Sequence, residues 1–134
     1  MVGTIIVTHG NLAQDMVEIT EMIVGGPTPL LAVNIQPEEG IGEIAKKVES
    51  AIKSADKGKG VLILTDLFGG TPSNVSLSFL LDDKVEVISG VNLPMIIKIA
   101  THCETTDLKE LSRLAKTAGK KNISLASEIM RKKV

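Results

Sequence analysis

Residues 60–74 read GVLILTDLFGGTPSN, and this stretch decides how the rest of the chain is parsed. Gly60–Thr65 is a continuous apolar run without polar alternation, as expected of a central strand covered on both faces. The run stops at Asp66, and Leu67-Phe68-Gly69-Gly70 then leads to Thr71-Pro72. Pro72 suits the first position of a helix and Thr71 its cap, so a helix is expected to run to about Leu81. Strand, glycine-rich loop and helix in that order make one βα unit.

Short β-branched runs alternate with longer amphipathic segments on both sides of this unit, which predicts an α/β fold built on a parallel sheet. Gly3–Thr8 and Leu30–Ile35 read as strands. Leu12–Val24 reads as a helix, with Leu12, Met16, Ile19 and Ile23 at helical spacing and Gly25-Gly26-Pro27 stopping it. Ile41, Ile44, Ala45, Val48, Ala51 and Ile52 give a second helix its apolar stripe, opposite a solvated face of Lys46, Lys47, Glu49 and Lys53. Asp56–Lys59 is a turn.

Beyond residue 74, Val85–Ser89 is a fourth strand and Pro94 starts a helix through Met95–Thr101. Thr106–Gly119 follows as a helix carrying Leu108, Leu111, Leu114, Ala115 and Ala118 inward. Ile123–Ala126 reads as a last, edge strand. Continuation as a helix over Glu128–Lys133 is the competing reading, because Ser124 and Ser127 are weak strand formers. Arg131-Lys132-Lys133 is a basic tail.

The 134 residues fit a single compact domain, 1–134, with one core and one site. Hydrophobic residues make up 43%, which argues against disorder. Phe68 and Phe79 are the only aromatic residues and the net charge is −1, so nucleic acid lacks both stacking platforms and a basic footprint. The amino terminus has no basic signal region, and no apolar run approaches the ~18 residues of a membrane span. A cytoplasmic protein is expected. Cys103 stands alone, so neither a disulfide framework nor a thiolate metal cluster is expected, and it reads as a small buried hydrophobe.

Ligands of open parallel sheets bind beyond the carboxyl ends of the strands. Three such ends carry unusual residues: His9-Gly10-Asn11, Asp66 through Pro72, and Gly90-Val91-Asn92-Leu93-Pro94. Singly, each has an ordinary reading as a turn, a cap or a loop aspartate bonding nearby amides. Together they suggest one crevice.

A histidine and an aspartate on adjacent strand ends can pair, the carboxylate fixing the tautomer that leaves the other ring nitrogen free as nucleophile or ligand. Around such a pair lie the amides of Gly10 and Asn11 and of Gly70 and Thr71, plus the Thr71 hydroxyl, all groups that hold an anion such as phosphate. His102, the second histidine, falls near a helix carboxyl end, where the macrodipole favours a partly protonated ring, and is not assigned to catalysis.

Other chemistries lack their residues. There is no GxGxxG after a strand, no GxxxxGK[ST] and no GxSxG elbow. No histidine or carboxylate cluster suggests a metal site, and no cofactor is implied. A phospho-acceptor receiver domain matches the position of Asp66 but needs acidic residues at the first strand end, where this chain has Thr8-His9.

The chain resembles the IIA component of the mannose-family sugar phosphotransferase system, on THGNLAQDMVEITEMIVG at residues 8–25, GVLILTDLFGGTPSN at 60–74 and GVNLPM at 90–95. The resemblance runs along nearly the whole chain. It implies a phosphoryl carrier. His9 takes phosphate from the histidine-containing phosphocarrier protein and gives it to a IIB component, which serves membrane IIC and IID components.

In the same resemblance Asp66 orients His9, and Gly10, Gly70 and Thr71 hold the phosphate, Thr71 standing where some members have serine. The fold implied is a three-layer, mostly parallel open sheet of four strands with helices on both faces. An antiparallel edge strand, Ile123–Ala126, is added and exchanged across a homodimer. Leu67-Phe68 departs from the threonine–tryptophan pair of some members, which removes a hydroxyl contact at Leu67. It also leaves Phe68 either exposed for a partner or folded onto the core. With no fused IIB domain, the acceptor is expected to be a separate protein. Two other uses of such a domain remain open: a regulatory module reporting sugar flux, and a phosphotransfer subunit serving dihydroxyacetone kinase.

Overall fold

The computed structural model describes residues 1–132; Lys133, within the basic run that starts at Arg131, and Val134 lie outside the described residues. In chain order the elements are β1 (Gly3–His9), α1 (Leu12–Val24), β2 (Leu30–Ile35), α2 (Ile41–Ala55), β3 (Val61–Thr65) and α3 (Thr71–Leu77). They continue as β4 (Val85–Ser89), α4 (Leu93–His102), α5 (Leu108–Lys121) and α6 (Ala126–Lys132). The four strands form one parallel sheet in the order β2-β1-β3-β4.

The continuous apolar runs occupy the two central strands. Every residue of β3 is buried, as are the first six of β1. Alternate side chains of these strands feed two cores. Ile6, Leu62 and Leu64 pack with Ala13, Val17, Met95, Ile96, Ile99, Leu111 and Ala115 from α1, α4 and α5. Ile5, Val7, Val61 and Ile63 pack with Ile44, Val48 and Val75 from α2 and α3 on the opposite face. The result is the expected three-layer α/β arrangement, in which burying each large aliphatic side chain stabilises by about 1.5–3 kcal/mol. Cys103 is a buried free thiol.

Local details differ from the sequence reading. In α1 the buried line is Ala13, Val17 and Thr20, whereas Leu12, Ile19 and Ile23 are 42%, 41% and 56% exposed. The cause is at the helix start, where the buried Thr8 Oγ1 accepts from the Ala13 amide at 2.7 Å and turns the small Ala13 inward. The expected helix to Leu81 ends at Leu77. Ser78 Oγ donates to the Val75 carbonyl at 2.6 Å, the amides of 78–80 shift to bonds three residues back, and Leu81 bridges to Val85.

The edge strand expected over Ile123–Ala126 is not formed: Ile123–Leu125 pair with no strand, and Ala126 opens α6. This segment lies on the surface without apolar cover, Ile123 and Leu125 being 76% and 61% exposed, so nothing among the described residues supports a fifth strand. No helix is long and apolar enough to cross a membrane among the described residues.

Candidate functional site

Because β1 and β3 are neighbours with Val7 opposite Thr65, their carboxyl ends deliver His9 and Asp66 side by side. Asp66 Oδ2 accepts from the His9 backbone amide at 3.0 Å and lies 2.8 Å from His9 Nδ1. A carboxylate only accepts, so Nδ1 carries the hydrogen, and in the neutral ring the lone pair is then on Nε2. The two bonds to one oxygen lock the ring relative to its own backbone. The His9 side chain is 53% exposed and that of Asp66 14%. Oδ1 of Asp66 is buried and has no hydrogen-bond partner among the described residues.

The glycine-rich loop after β3 folds against the same ring. A Cβ on Gly70 would lie 2.9 Å from His9 Cε1 and 3.5 Å from Nε2, so only glycine lets the backbone come this close. The loop is braced by Gly70 N–H to the Leu67 carbonyl at 3.3 Å and by Asn74 Nδ2 to the Gly69 carbonyl at 3.2 Å. No side chain caps α3 and Pro72 brings no N–H. The exposed Thr71 therefore offers its amide and hydroxyl next to Gly70.

Gly10 stands differently. The β1–β2 ladder extends one residue past the strand, and the Gly10 amide donates to the Ile35 carbonyl at 2.8 Å. The first turn of α1 is likewise closed from within, Thr8 Oγ1 taking the Ala13 amide and Asn34 Oδ1 the Gln14 amide at 3.3 Å. The Gly10 amide is thus already engaged in the sheet, as the Gly70 amide is in its own loop. Gly10 is required for its backbone, φ +57°, with open space where a Cβ would be.

The third strand end holds structure together instead of adding ligand groups. Asn92 Oδ1 caps α4 by accepting from the Met95 amide at 3.1 Å, and its Nδ2 donates to the Gly119 carbonyl of α5 at 3.0 Å. The amides of Gly90 and Val91 both donate to the Thr65 carbonyl at 3.0 Å. His9 and Asp66 join two of the strand ends directly, while Gly90 and Asn92 of the third line a cleft together with Phe68. The sequence reading missed a hydroxyl chain beneath it, Thr65 to Ser89 at 2.9 Å and Ser89 to Ser73 at 3.2 Å. Its only signal is a hydroxyl residue at the end of each of two strands.

Phe68 does not fold onto the core; it is 75% exposed, beside Leu67 at 60%. Phe68 also borders a cleft of about 520 Å³ that runs along β4 past Val87 and Ile88 to Ile123. His102 lies at the far end of the molecule. The Val2 amide, at the start of β1, donates to the Cys103 carbonyl at 3.1 Å, which places His102 about 20 Å of strand away from His9. Its Nδ1 is engaged by the Lys98 carbonyl at 3.0 Å. No group of three or more metal-ligating side chains assembles among the described residues.

A family model described as the PTS system fructose IIA component, EIIA-man, matches residues 3–116. The fructose-specific EIIA component of Bacillus subtilis is 33% identical over 133 residues, covering 98% of this chain and 91% of that protein. The sorbose-specific EIIA component of Lacticaseibacillus casei is 33% identical over 127 residues, covering 93% and 91%. Among solved structures, the phosphotransferase system component EIIA from Streptococcus agalactiae superposes with a TM-score of 0.86 at 27% identity, covering 96% of this chain and 99% of that one.

Proposed function

Since the chain belongs to the EIIA-man family of sugar phosphotransferase-system IIA components, we propose that it carries a phosphoryl group on Nε2 of His9. The observation that carries this is the 2.8 Å contact between His9 Nδ1 and Asp66 Oδ2, which in the neutral ring leaves Nε2, on the side of Gly70, as the nitrogen with the lone pair. The donor is the phosphohistidine of the histidine-containing phosphocarrier protein. Nε2 attacks phosphorus in line, the new N–P bond forms as the donor N–P bond breaks, and the electron pair returns to the donor imidazole.

Asp66 stabilises the positive charge that develops on the His9 ring, while the amide and hydroxyl of Thr71 offer hydrogen bonds to the phosphoryl oxygens. Donor and acceptor are both imidazoles, so the step is nearly balanced and the protein's contribution is positioning. Transfer onward goes to a histidine of a separate IIB component in the cytoplasm, which serves membrane IIC and IID components. Residues 1–134 act as one unit in this scheme.

A homodimer is part of the proposal. The outer edge of β2 is guarded by Lys47, whose Nζ bonds the Asn34 carbonyl at 2.5 Å, whereas the outer edge of β4 borders the cleft that reaches Ile123. Ile123, Leu125, Ile129 and Met130 are all exposed and would gain cover by crossing to a second copy. Incubation with phosphoenolpyruvate, enzyme I and phosphocarrier protein is expected to place one acid-labile phosphate on the chain, which added IIB then removes. A chain that stays unlabelled in this mixture is not the carrier.

A further inference from the structure

Thr65 and Ser73 bracket residues 66–72, the segment that carries Asp66, Gly70 and Thr71. Both bracketing hydroxyls meet one oxygen. Thr65 Oγ1 donates to Ser89 Oγ at 2.9 Å, and Ser73 Oγ lies 3.2 Å from the same atom. Thr65 and Ser73 are fully buried, so neither hydroxyl has water to fall back on. The backbone beside the clasp is tied down as well, since the two amides that follow Ser89 donate to the Thr65 carbonyl.

The consequence is geometric. One end of the loop sets Asp66, which holds Nδ1 of His9; the other sets Gly70, whose backbone lies against Cε1 and Nε2. Even a methyl group on Gly70 would crowd the ring at Cε1, so the loop has little room to shift toward His9. Loop ends that drift apart move the orienting carboxylate and the Gly70-Thr71 groups in different directions around one ring.

We propose that Ser89 is a positioning residue for phosphoryl transfer, clasping the two ends of the 66–72 loop and so fixing the spacing between Asp66 and Gly70-Thr71 about His9. This rests on the reading of His9 as the phosphoryl carrier. Ser89 touches no substrate and acts through Thr65 and Ser73.

The test is steady-state transfer from the phosphocarrier to the full chain and on to IIB. Ser89→Ala is expected to lower kcat about tenfold with KM for the phosphocarrier unchanged, and Ser89→Thr, which keeps the oxygen, to recover most of that loss. Ser73→Ala carries the same expectation and serves if Ser89→Ala does not fold. Combining the two adds little, because either one opens the clasp.

Val48→Ala removes core volume on α2 away from the loop, and is expected to lower the melting temperature while leaving kcat alone. Wild-type kcat in Ser89→Ala or Ser73→Ala overturns the clasp, as does an equal loss of kcat in Val48→Ala. Failure of the underlying reading looks different: the wild-type chain itself then takes no phosphate that depends on His9.

Discussion

The backbone of Gly70 lies so close to His9 that a methyl group there would sit 2.9 Å from Cε1 of the ring. Gly70→Ala must displace either the imidazole or the loop, and phosphoryl transfer is expected to fall by roughly tenfold to a hundredfold. Gly10→Ala is expected to behave in the opposite way. Its φ of +57° makes a side chain costly by about 1–2 kcal/mol, yet space is open, so stability drops while the transfer rate holds. Thermal melts and transfer rates on both variants check the contrast; a reversed pattern would return the phosphate contact to Gly10.

Asp66 holds His9 through one oxygen, which accepts from both the backbone amide and Nδ1. Asp66→Asn keeps an acceptor but removes the charge, so the fold should persist while transfer slows by about a hundredfold or more. Nitrogen NMR of the imidazole is expected to show the single Nδ1–H tautomer in the wild type and a mixture in Asp66→Asn. An unchanged rate would remove Asp66 from the mechanism.

Glu39 supplies a pH-dependent contribution to stability remote from the site. Its carboxylate accepts from the Gln36 amide at 2.7 Å and from Lys47 Nζ at 3.0 Å, and these bonds hold its carboxyl below the usual range. A lowered folded-state pKa stabilises the fold above the unfolded value and loses that contribution as pH falls through the folded one. Glu39→Gln should therefore lower the melting temperature at neutral pH, with the gap to wild type closing on acidification. A gap that stays constant with pH would mean the charge contributes nothing.

Phe68 stands 75% exposed on the loop that contacts His9. Removing it should leave the fold intact, since it covers little of the core. Phe68→Ser is expected to raise KM for a protein partner by about tenfold with kcat unchanged, the mark of lost docking contact. Equal KM values for phosphocarrier and IIB in wild type and variant would make Phe68 a bystander.

The sheet and the pairing of His9 with Asp66 were legible in the sequence because both follow from the two most apolar runs. Strands buried on both faces must be central, and central neighbours bring their end residues together, which joins His9 to Asp66. Hydrogen-bond partners across the fold were not legible. Nothing local to Gly10 says that its amide continues a ladder to Ile35, and nothing near Asn92 says that its side chain reaches Gly119.

Helix faces failed where two apolar lines run side by side. Leu12, Ile19 and Ile23 look like the stripe of α1, but the Thr8 cap turns Ala13, Val17 and Thr20 to the sheet instead. The strand expected at Ile123–Ala126 is not formed, because the serines and Glu128 favour a turn into α6.

His9 alone is expected to carry the phosphoryl group, and one mapping experiment tests this directly. With phosphoenolpyruvate, enzyme I and phosphocarrier, the wild type and His102→Ala should each gain one acid-labile phosphate, and His9→Ala none. Labelling that survives in His9→Ala, or vanishes in His102→Ala, would place the phosphate on a residue other than His9.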